Sequence, residues 1–263
     1  IAIPTTSGTG SEMTKAAVIY NPLIKRKMLF ISSNLAPDEA ILDSRLTATL
    51  PPHITSVTGM DALSHAVEAY TCLGKNPISD RLAYRAIELL RDHLEPCLSD
   101  PGNLTHRRAL ATASNMAGTA FSNSMVGMVH SIGHSVGAIC HIPHGACKSV
   151  FLPAALEYNF SVIEPLLSEL YHAIVDTVGA AAEPLANLND TQRAHGMVLP
   201  IREWNSRLKE ATDGRHPGGL DDLMVGEEHY DEIARTALGD ASIAYNPVEL
   251  RYQDILEVLS RCR

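Results

Sequence analysis

The densest group of potential metal ligands in this sequence is a set of histidines between positions 130 and 144. The set consists of His130, His134, His141 and His144. His130 and His134 are four residues apart, so in a helix both side chains would leave the same face. A glycine and a proline further along predict that this helix ends and that a turn brings His141 or His144 back towards it. Neutral imidazole is a common metal ligand, and any three of these side chains could share an ion.

Apolar neighbours favour a shared ion over a run of unrelated histidines. The segment MVHSIGHSVGAICHIPHGACK places the imidazoles among Met, Val and Ile side chains, which indicates burial. Unpaired polar groups are costly in an apolar interior. A shared metal ion would remove that cost.

A second pair of potential ligands lies in the segment GMDALSHAVEAY. Asp61 and His65 are one helical turn apart and would point the same way. An isolated pair of this kind more often lies on a solvated helix face, where an acid near the N-terminus interacts favourably with the helix dipole. Joined to the histidine segment, however, it gives one carboxylate and two or three imidazoles, with room for an exogenous oxygen. Such a set suits iron, zinc or manganese in an open catalytic site, whereas calcium would require more oxygen ligands.

A glycine loop, PTTSGTGSE, follows an apolar segment at the start of the sequence. Gly8 and Gly10 stand among hydroxyl side chains, and the backbone N–H groups of such loops can bind a phosphate or a ribose. The third glycine of the dinucleotide-binding fingerprint is absent. A tight turn with a purely structural role is the alternative interpretation.

Two kinds of hydrophobic pattern surround these segments. Residues 1 to about 45 show strand patterns at 16–20, 28–32 and 39–42. From residue 46 onward, apolar residues repeat at helical spacing. Helices are predicted near 59–71, 79–98, 103–122, 126–139, 147–158, 162–178, 184–209, 228–238 and 252–262. The sequence therefore predicts a mostly α fold, in which an all-helical domain follows a short β-containing segment.

Composition limits the classes of function. The chain has 263 residues and a net charge of −9, from 21 basic minus 30 acidic side chains, so we expect no nucleic-acid partner. Apolar runs are shorter than the roughly 18–20 residues of a membrane helix, and the start of the chain lacks a signal-peptide pattern. Five cysteines without C-x-x-C spacing fit a reducing compartment. We therefore expect a soluble cytoplasmic protein with no membrane partner.

Four segments in order resemble the iron-containing (group III) alcohol dehydrogenases, which have a dehydroquinate synthase-like fold. These segments are PTTSGTGSE, DSRLTATLPP, GMDALSHAVEAY and GMVHSIGHSVGAICHIPHG, and the resemblance continues to YNPVELRYQDILEVL near the end. The resemblance implies that the metal ligands are Asp61, His65, His130 and His144. It favours His144 over His141, a choice that spacing leaves open. It also places His134 beside the metal, near the nicotinamide and the substrate.

The same resemblance implies a cofactor cleft and a division of the chain. Its implied dinucleotide contacts are Thr5, Thr6, Gly8, Gly10, Lys27 and Leu46. Members of the family begin with a Rossmann-like half whose Gly-Gly-Gly-Ser loop binds the pyrophosphate, and this sequence contains no such segment. We therefore expect residues 1–45 to be the remnant of a dinucleotide-binding α/β domain and 46–263 to form an all-helical, metal-binding catalytic domain, as part of a truncated chain.

The expected function is interconversion of a small alcohol and its aldehyde by hydride transfer to or from NAD or NADP, with Fe²⁺ or Zn²⁺ as the metal and a homo-oligomer as the assembly. His134 is the candidate for relaying the alcohol proton, because it lies one turn from ligand His130. Glu68 could orient the imidazole of His65, but we expect it to face solvent.

Other functions fit the sequence less well. A zinc polyol dehydrogenase resembling the glycerol dehydrogenases would use fewer ligands than the Asp and three His found here. A non-catalytic helical module for metal binding or oligomerisation is the alternative from another class. A metallohydrolase ranks last, because the sequence offers no further carboxylate placed as a general base.

Overall fold

A computed structural model describes residues 1–24, 26–175 and 188–263. Its strands are β1 (Ala16–Asn21) and β2 (Arg26–Ile31), and its helices are α1 (Pro52–Thr71), α2 (Pro77–Ser99), α3 (Leu104–Ser124), α4 (Met128–Ile139), α5 (His144–Ile174), α6 (Asp190–His195), α7 (Val198–Ala211), α8 (Tyr230–Leu238) and α9 (Tyr252–Arg261). Short 3₁₀ helices cover Ser11–Met13, Ser33–Leu35, Ser44–Thr47, Glu227–His229 and Ala241–Tyr245. The predicted mostly α fold, with a short β segment before it, is confirmed.

The two strands form an antiparallel hairpin in which Val18 pairs with Leu29. Both were predicted, whereas the strand expected at 39–42 is wrong. That segment forms a single parallel bridge, between Ala2 and Ala40. It stops there because Asp43 begins a 3₁₀ helix, with its Oδ1 accepting a hydrogen bond from the Arg45 backbone N–H at 3.0 Å.

Helix α1 forms the centre of the helical domain and packs against α2, α3 and α5. It begins at Pro52, about two turns before the predicted start, since proline is well suited to the first turn of a helix. Met60 and Leu63 are fully buried, and so is the hydroxyl-bearing Ser64, whose Oγ donates to the Met60 carbonyl at 2.9 Å. Because α1 is buried on almost every side, its polar side chains must find partners inside the protein.

Two predicted helix boundaries differ in the structure. The helices expected at 147–158 and 162–178 form one helix, α5, up to Ile174; residues 176–178 lie outside the described residues. Pro153 and Pro165 each remove an amide donor, but fully buried neighbours such as Phe151 and Leu167 hold the helix on both sides. The helix expected at 184–209 is divided at Gly196 into α6 and α7, and residues 184–187 are outside the described ranges.

None of the helices in the described ranges combines the length and apolar character needed to cross a bilayer.

One buried histidine far from the predicted metal ligands makes stability depend on pH. His216 is fully buried, and its Nε2 donates to Asn205 Oδ1 at 3.2 Å, which leaves Nδ1 beside Ser56 Oγ at 3.1 Å. Burial lowers the pKa of His216 to about 4. The folded state thus favours the neutral ring, and this contribution is complete above the unfolded value of about 6.5. It is lost as pH falls from about 6.5 to about 4.

We therefore expect wild type to lose about 3 kcal/mol more unfolding free energy than His216→Gln over this range, measured by urea unfolding at several pH values. His229→Gln, at a half-exposed position far from this buried contact, is the control and should keep the wild-type profile. Parallel profiles for wild type and His216→Gln would contradict the prediction.

Candidate metal centre

Helix α1 supplies the first two side chains of the candidate site. Asp61 and His65 lie one turn apart and are almost completely buried, at 1% and 3% exposure. The His65 ring is stacked between two other rings, with centroid distances of 4.3 Å to Phe121 and 4.5 Å to His130. This packing holds the imidazole in one orientation.

Two further side chains come from α4 and from the start of α5. His130 lies in the first turn of α4, and His144 is the first residue of α5, directly after the turn at Pro143. One ligand atom from each of Asp61, His65, His130 and His144 lies within 4.8 Å of those of the other three. The structure thus brings together the four side chains that the family resemblance implied.

His141, which spacing left open as a ligand, lies outside this cluster. Its backbone has φ = 57° and its side chain is exposed, with its ring 6.0 Å from the Tyr20 ring. The left-handed conformation at this residue makes the turn between α4 and α5, which carries the chain back so that His144 reaches Asp61, His65 and His130.

Three atoms in the cluster have no hydrogen-bond partner in the described residues. They are Asp61 Oδ1, His65 Nδ1 and His130 Nε2. The fourth side chain, His144, places its Nε2 3.4 Å from Asp61 Oδ1. Buried polar atoms without partners are costly, and one carboxylate with three imidazoles is a donor set that Fe²⁺ and Zn²⁺ accept. The residues present therefore fit a divalent transition metal.

The electrostatics of the cluster favour the neutral imidazoles, the form that can bind a metal. Burial lowers the pKa of His130 and of His144 well below the usual value, and the nearby Lys148 ammonium lowers both further. Both rings are therefore neutral, with a lone pair to donate. Burial raises the pKa of Asp61, while His65 and Lys148 oppose that shift. A cation at the four ligand atoms would favour the ionised carboxylate.

Glu68, which we expected to face solvent, is buried at 6% exposure and contacts the cluster. Its Oε2 accepts a hydrogen bond from Nδ1 of His130, and its Oε1 accepts from the N–H groups of Gly127 and Val129, both at 2.9 Å. Glu68 thus orients His130 rather than His65. The expectation was wrong because α1 has no solvent face at this position. The spacing of Asp61, His65 and Glu68, at i, i+4 and i+7, could have shown that all three share one face.

His134 lies beside the four candidate ligands. Its ring is stacked on that of His144, with centroids 5.2 Å apart, and its Nδ1 donates to Asp240 Oδ2 at 2.9 Å. Burial, with help from Lys148, lowers the pKa of His134 to about 4, although Asp240 opposes the shift. Asp240 is itself held by the N–H of Ser242 at 2.8 Å. Sequence reasoning missed Asp240, since it lies 106 residues from His134 and in no recognisable motif.

A cavity of about 450 Å³ opens on the cluster. Its lining includes the rings of His65, His130, His134 and His144, and an apolar face of the hairpin with Val18 and Leu29. Hydroxyl and ammonium groups also line it, from Thr9, Ser11, Thr14, Lys15 and Lys27. The Lys27 ammonium lies close enough to His134 and His144 to lower the pKa of both rings. The cavity therefore brings imidazole, apolar and cationic groups together.

Among the residues that resemblance placed at the cofactor, Lys27 lines this cavity, whereas Thr5, Thr6, Gly8, Gly10 and Leu46 do not. A Cβ at Gly8 would lie 2.8 Å from Thr58 Cβ. At Gly10, where φ is 57°, a Cβ would lie 2.6 Å from the Gly118 Cα. Close packing therefore explains the absence of a side chain at both positions without a bound cofactor. The cavity-lining Lys15 and Thr14 were not singled out from the sequence.

Comparison with known proteins adds a family relationship. A model described as "Fe-containing alcohol dehydrogenase family, C-terminal" matches residues 55–262, and one described as "Iron-containing alcohol dehydrogenase" matches residues 1–44. The chain is 34% identical to the NAD-dependent methanol dehydrogenase of Bacillus methanolicus over 98% of its own length and 65% of that protein.

Further relatives agree with these matches. The chain is 33% identical to the NADPH-dependent butanol dehydrogenase of Clostridium saccharobutylicum, with 98% of this chain and 63% of that protein covered. A crystal structure of a 1,3-propanediol oxidoreductase superposes with a TM-score of 0.89 at 31% identity, over 99% of this chain and 65% of that one. The chain thus spans slightly less than two thirds of the length of these relatives.

Proposed function

The chain belongs to the iron-containing alcohol dehydrogenase family, and we propose that it supplies the metal-binding and proton-handling residues of an NAD(P)-dependent alcohol dehydrogenase. The observation that supports this proposal most directly is the convergence of buried, unpartnered ligand atoms from α1 and α4 on the start of α5. Relatives named for the oxidation of methanol, butanol and propanediol make a small alcohol and its aldehyde the proposed substrates.

In this proposal Asp61, His65, His130 and His144 hold one Fe²⁺ or Zn²⁺. A bound ion would supply Lewis-acid polarisation of an alcohol oxygen, and a bound nicotinamide would supply the hydride acceptor. Glu68 fixes the His130 ring through Nδ1 and so leaves Nε2 for the ligand position. Phe121, stacked on His65, fixes that ring as well.

His134 is the proposed proton acceptor for the alcohol. Its Nδ1 is engaged by Asp240, so its Nε2 is the nitrogen left for the cavity that His134 lines. Because burial keeps the ring neutral at pH 7, Nε2 can accept a proton there. The Asp240 carboxylate stabilises the imidazolium that then forms, as a positioning residue that does not itself touch substrate.

The cofactor contacts are proposed on family grounds, with Lys27 as the one best supported by position. Lys27 extends from β2 to α4, where its Nζ would lie 3.0 Å from a Cβ at Gly137. Burial lowers its pKa, while Cys147 and Asp61 oppose the shift. An ammonium in this position could bind an anionic part of NAD or NADP. Thr5, Thr6, Gly8, Gly10 and Leu46 complete the proposed set.

We also infer the division of the chain near residue 45. The two family models meet between residues 44 and 55, and the hairpin lies before this point while the long helices lie after it. Residues 1–45 would then belong to the dinucleotide-binding part and 46–263 to the metal-binding, catalytic part.

Metal content and turnover together test this function. Protein purified without oxygen should carry about one iron or zinc per chain by plasma mass spectrometry. It should also reduce NAD⁺ or NADP⁺ when methanol, butanol or 1,3-propanediol is added. Protein without bound metal would contradict the proposed site. Bound metal without alcohol-dependent reduction of either nucleotide would contradict the dehydrogenase and favour a metal-binding module.

Replacing Glu68 with Gln should weaken metal binding by about 10–100-fold, the usual effect of losing the carboxylate behind a ligating histidine. The amide keeps the shape of the side chain but can no longer act as an anionic acceptor for the His130 Nδ1–H. Chelator competition for Zn²⁺ measures the effect. Glu88→Gln, on the outer face of α2, is the matched control. Equal affinities for Glu68→Gln and wild type would rule out the positioning role.

A further inference from the structure

Lys148 is a fully buried lysine one turn after His144 on α5. Lysine is rarely buried completely unless its charge is compensated. Within residues 1–24, 26–175 and 188–263, no carboxylate oxygen forms an ion pair with Lys148 at 4.0 Å or less. Its Nζ instead donates to the backbone carbonyls of His130 at 3.3 Å and Val129 at 3.5 Å. These neutral partners leave the ammonium charge without a direct counterion.

The fold makes room for this ammonium. A Cβ at Gly133, on the next turn of α4, would lie 2.6 Å from Lys148 Nζ. Any other residue at position 133 would therefore displace the ammonium or the helix. The space between α4 and α5 is fitted to a lysine side chain whose charged end lies beneath the backbone of ligand His130.

The charges around Lys148 explain what the ammonium can do. Two buried carboxylates, Asp61 and Glu68, interact electrostatically with it, and so do the rings of His130 and His144. Burial raises the pKa of Asp61 and raises that of Glu68 to about 8, and the ammonium opposes both shifts by favouring the ionised carboxylates. A divalent ion would add two positive charges beside the ammonium. The ammonium therefore offsets negative charge in the metal-free cluster and repels a divalent ion that binds there, and burial makes both interactions stronger than they would be in water.

We propose that the Lys148 ammonium is a positive charge built into the protein beside the metal centre. It stabilises the metal-free fold and lowers the affinity of the centre for divalent metal. This inference rests on the proposed function, because it assumes the four-ligand site. Lys148 touches neither the cavity nor the ligand side chains, so its effect on the ion comes from charge through the protein interior.

The test compares Lys148→Met with wild type for Zn²⁺ affinity at pH 7, using competition with a chromogenic chelator. The variant should bind Zn²⁺ at least about tenfold more tightly, because the repulsion between two buried cations is gone. Lys209→Met is the matched control: it removes the same charge from a surface lysine paired with Asp222, and its affinity should equal that of wild type. Raising the salt concentration should leave the tenfold difference in place, since a buried pair is poorly screened.

Thermal unfolding provides a second readout that does not depend on activity. The metal-free Lys148→Met protein should unfold at a lower temperature than metal-free wild type, and Zn²⁺ should raise its melting temperature by more than it raises that of wild type. If Lys148→Met does not fold without metal, Zn²⁺ should restore folding, and Lys148→Gln should behave in the same way. Variants that stay unfolded with Zn²⁺ would show a structural role and overturn the proposal.

The outcomes separate this inference from the function on which it rests. If wild type binds no Zn²⁺, the metal site itself is wrong. If wild type binds Zn²⁺ and Lys148→Met binds it equally or more weakly, the site stands and the role of Lys148 as a repelling cation is overturned.

Discussion

The Asp61→Asn variant will bind Zn²⁺ or Fe²⁺ at least about a hundredfold more weakly than wild type. A structural zinc site gains roughly 10–16 kcal/mol from about four ligands, so one ligand is worth about 3 kcal/mol, and Asp61 is the only anionic member of this set. Metal added at 100 times the wild-type Kd stabilises wild type by about 2.7 kcal/mol, but the variant by only about 0.4 kcal/mol. Plasma mass spectrometry and melting temperatures with and without metal measure both effects.

The metal-free forms distinguish a ligand from a structural residue. Asp61 is buried, its Oδ1 accepts no hydrogen bond, and burial raises its pKa, so the cost of burying the carboxylate offsets its attraction to Lys148 in the metal-free fold. Metal-free Asp61→Asn should therefore melt close to the temperature of metal-free wild type. Asp92→Asn, on the exposed face of α2, is the control and should bind metal normally. Full metal retention by Asp61→Asn would refute the ligand assignment.

The His134→Ala variant will keep its metal and lose about 10²–10⁴-fold in kcat for alcohol oxidation, the range expected for removal of a general base. We expect the metal to be retained because His134 is not among the four proposed ligands. Added imidazole should partly restore turnover, since removing the ring enlarges a cavity of about 450 Å³ that is open to small molecules. Nicotinamide absorbance measures turnover, and plasma mass spectrometry measures the metal in the same sample.

Asp240→Asn is the companion variant for this prediction. It keeps the His134 ring but replaces the carboxylate that accepts from Nδ1, so we expect a smaller loss in kcat and no rescue by imidazole. Loss of metal from His134→Ala would instead show that this ring helps to hold the ion. Unchanged kcat in His134→Ala would remove it from the proton path.

Local spacing predicted the pairs of candidate ligands, because a helix places residues i and i+4 on one face whatever the helix packs against. Identifying Asp61 and His65 as one pair, and His130 as a member of the second group, required no knowledge of the tertiary structure. The choice of His144 over His141 came from family resemblance, and the left-handed residue in the α4 to α5 turn gives it a physical basis. The two strands of the hairpin and the mostly α character also followed from short-range hydrophobic patterns.

Packing between elements distant in sequence decided which residues contact the candidate ligands and His134. Glu68 contacts His130 across 62 residues, and Asp240 contacts His134 across 106. Lys148 lies under the backbone of α4 because Gly133 leaves space there. Sequence alone determined which side chains could bind a metal, since that depends on residue type and local helix geometry. The tertiary structure decided which charges surround them, since burial and contact across the core depend on how α1, α4 and α5 pack.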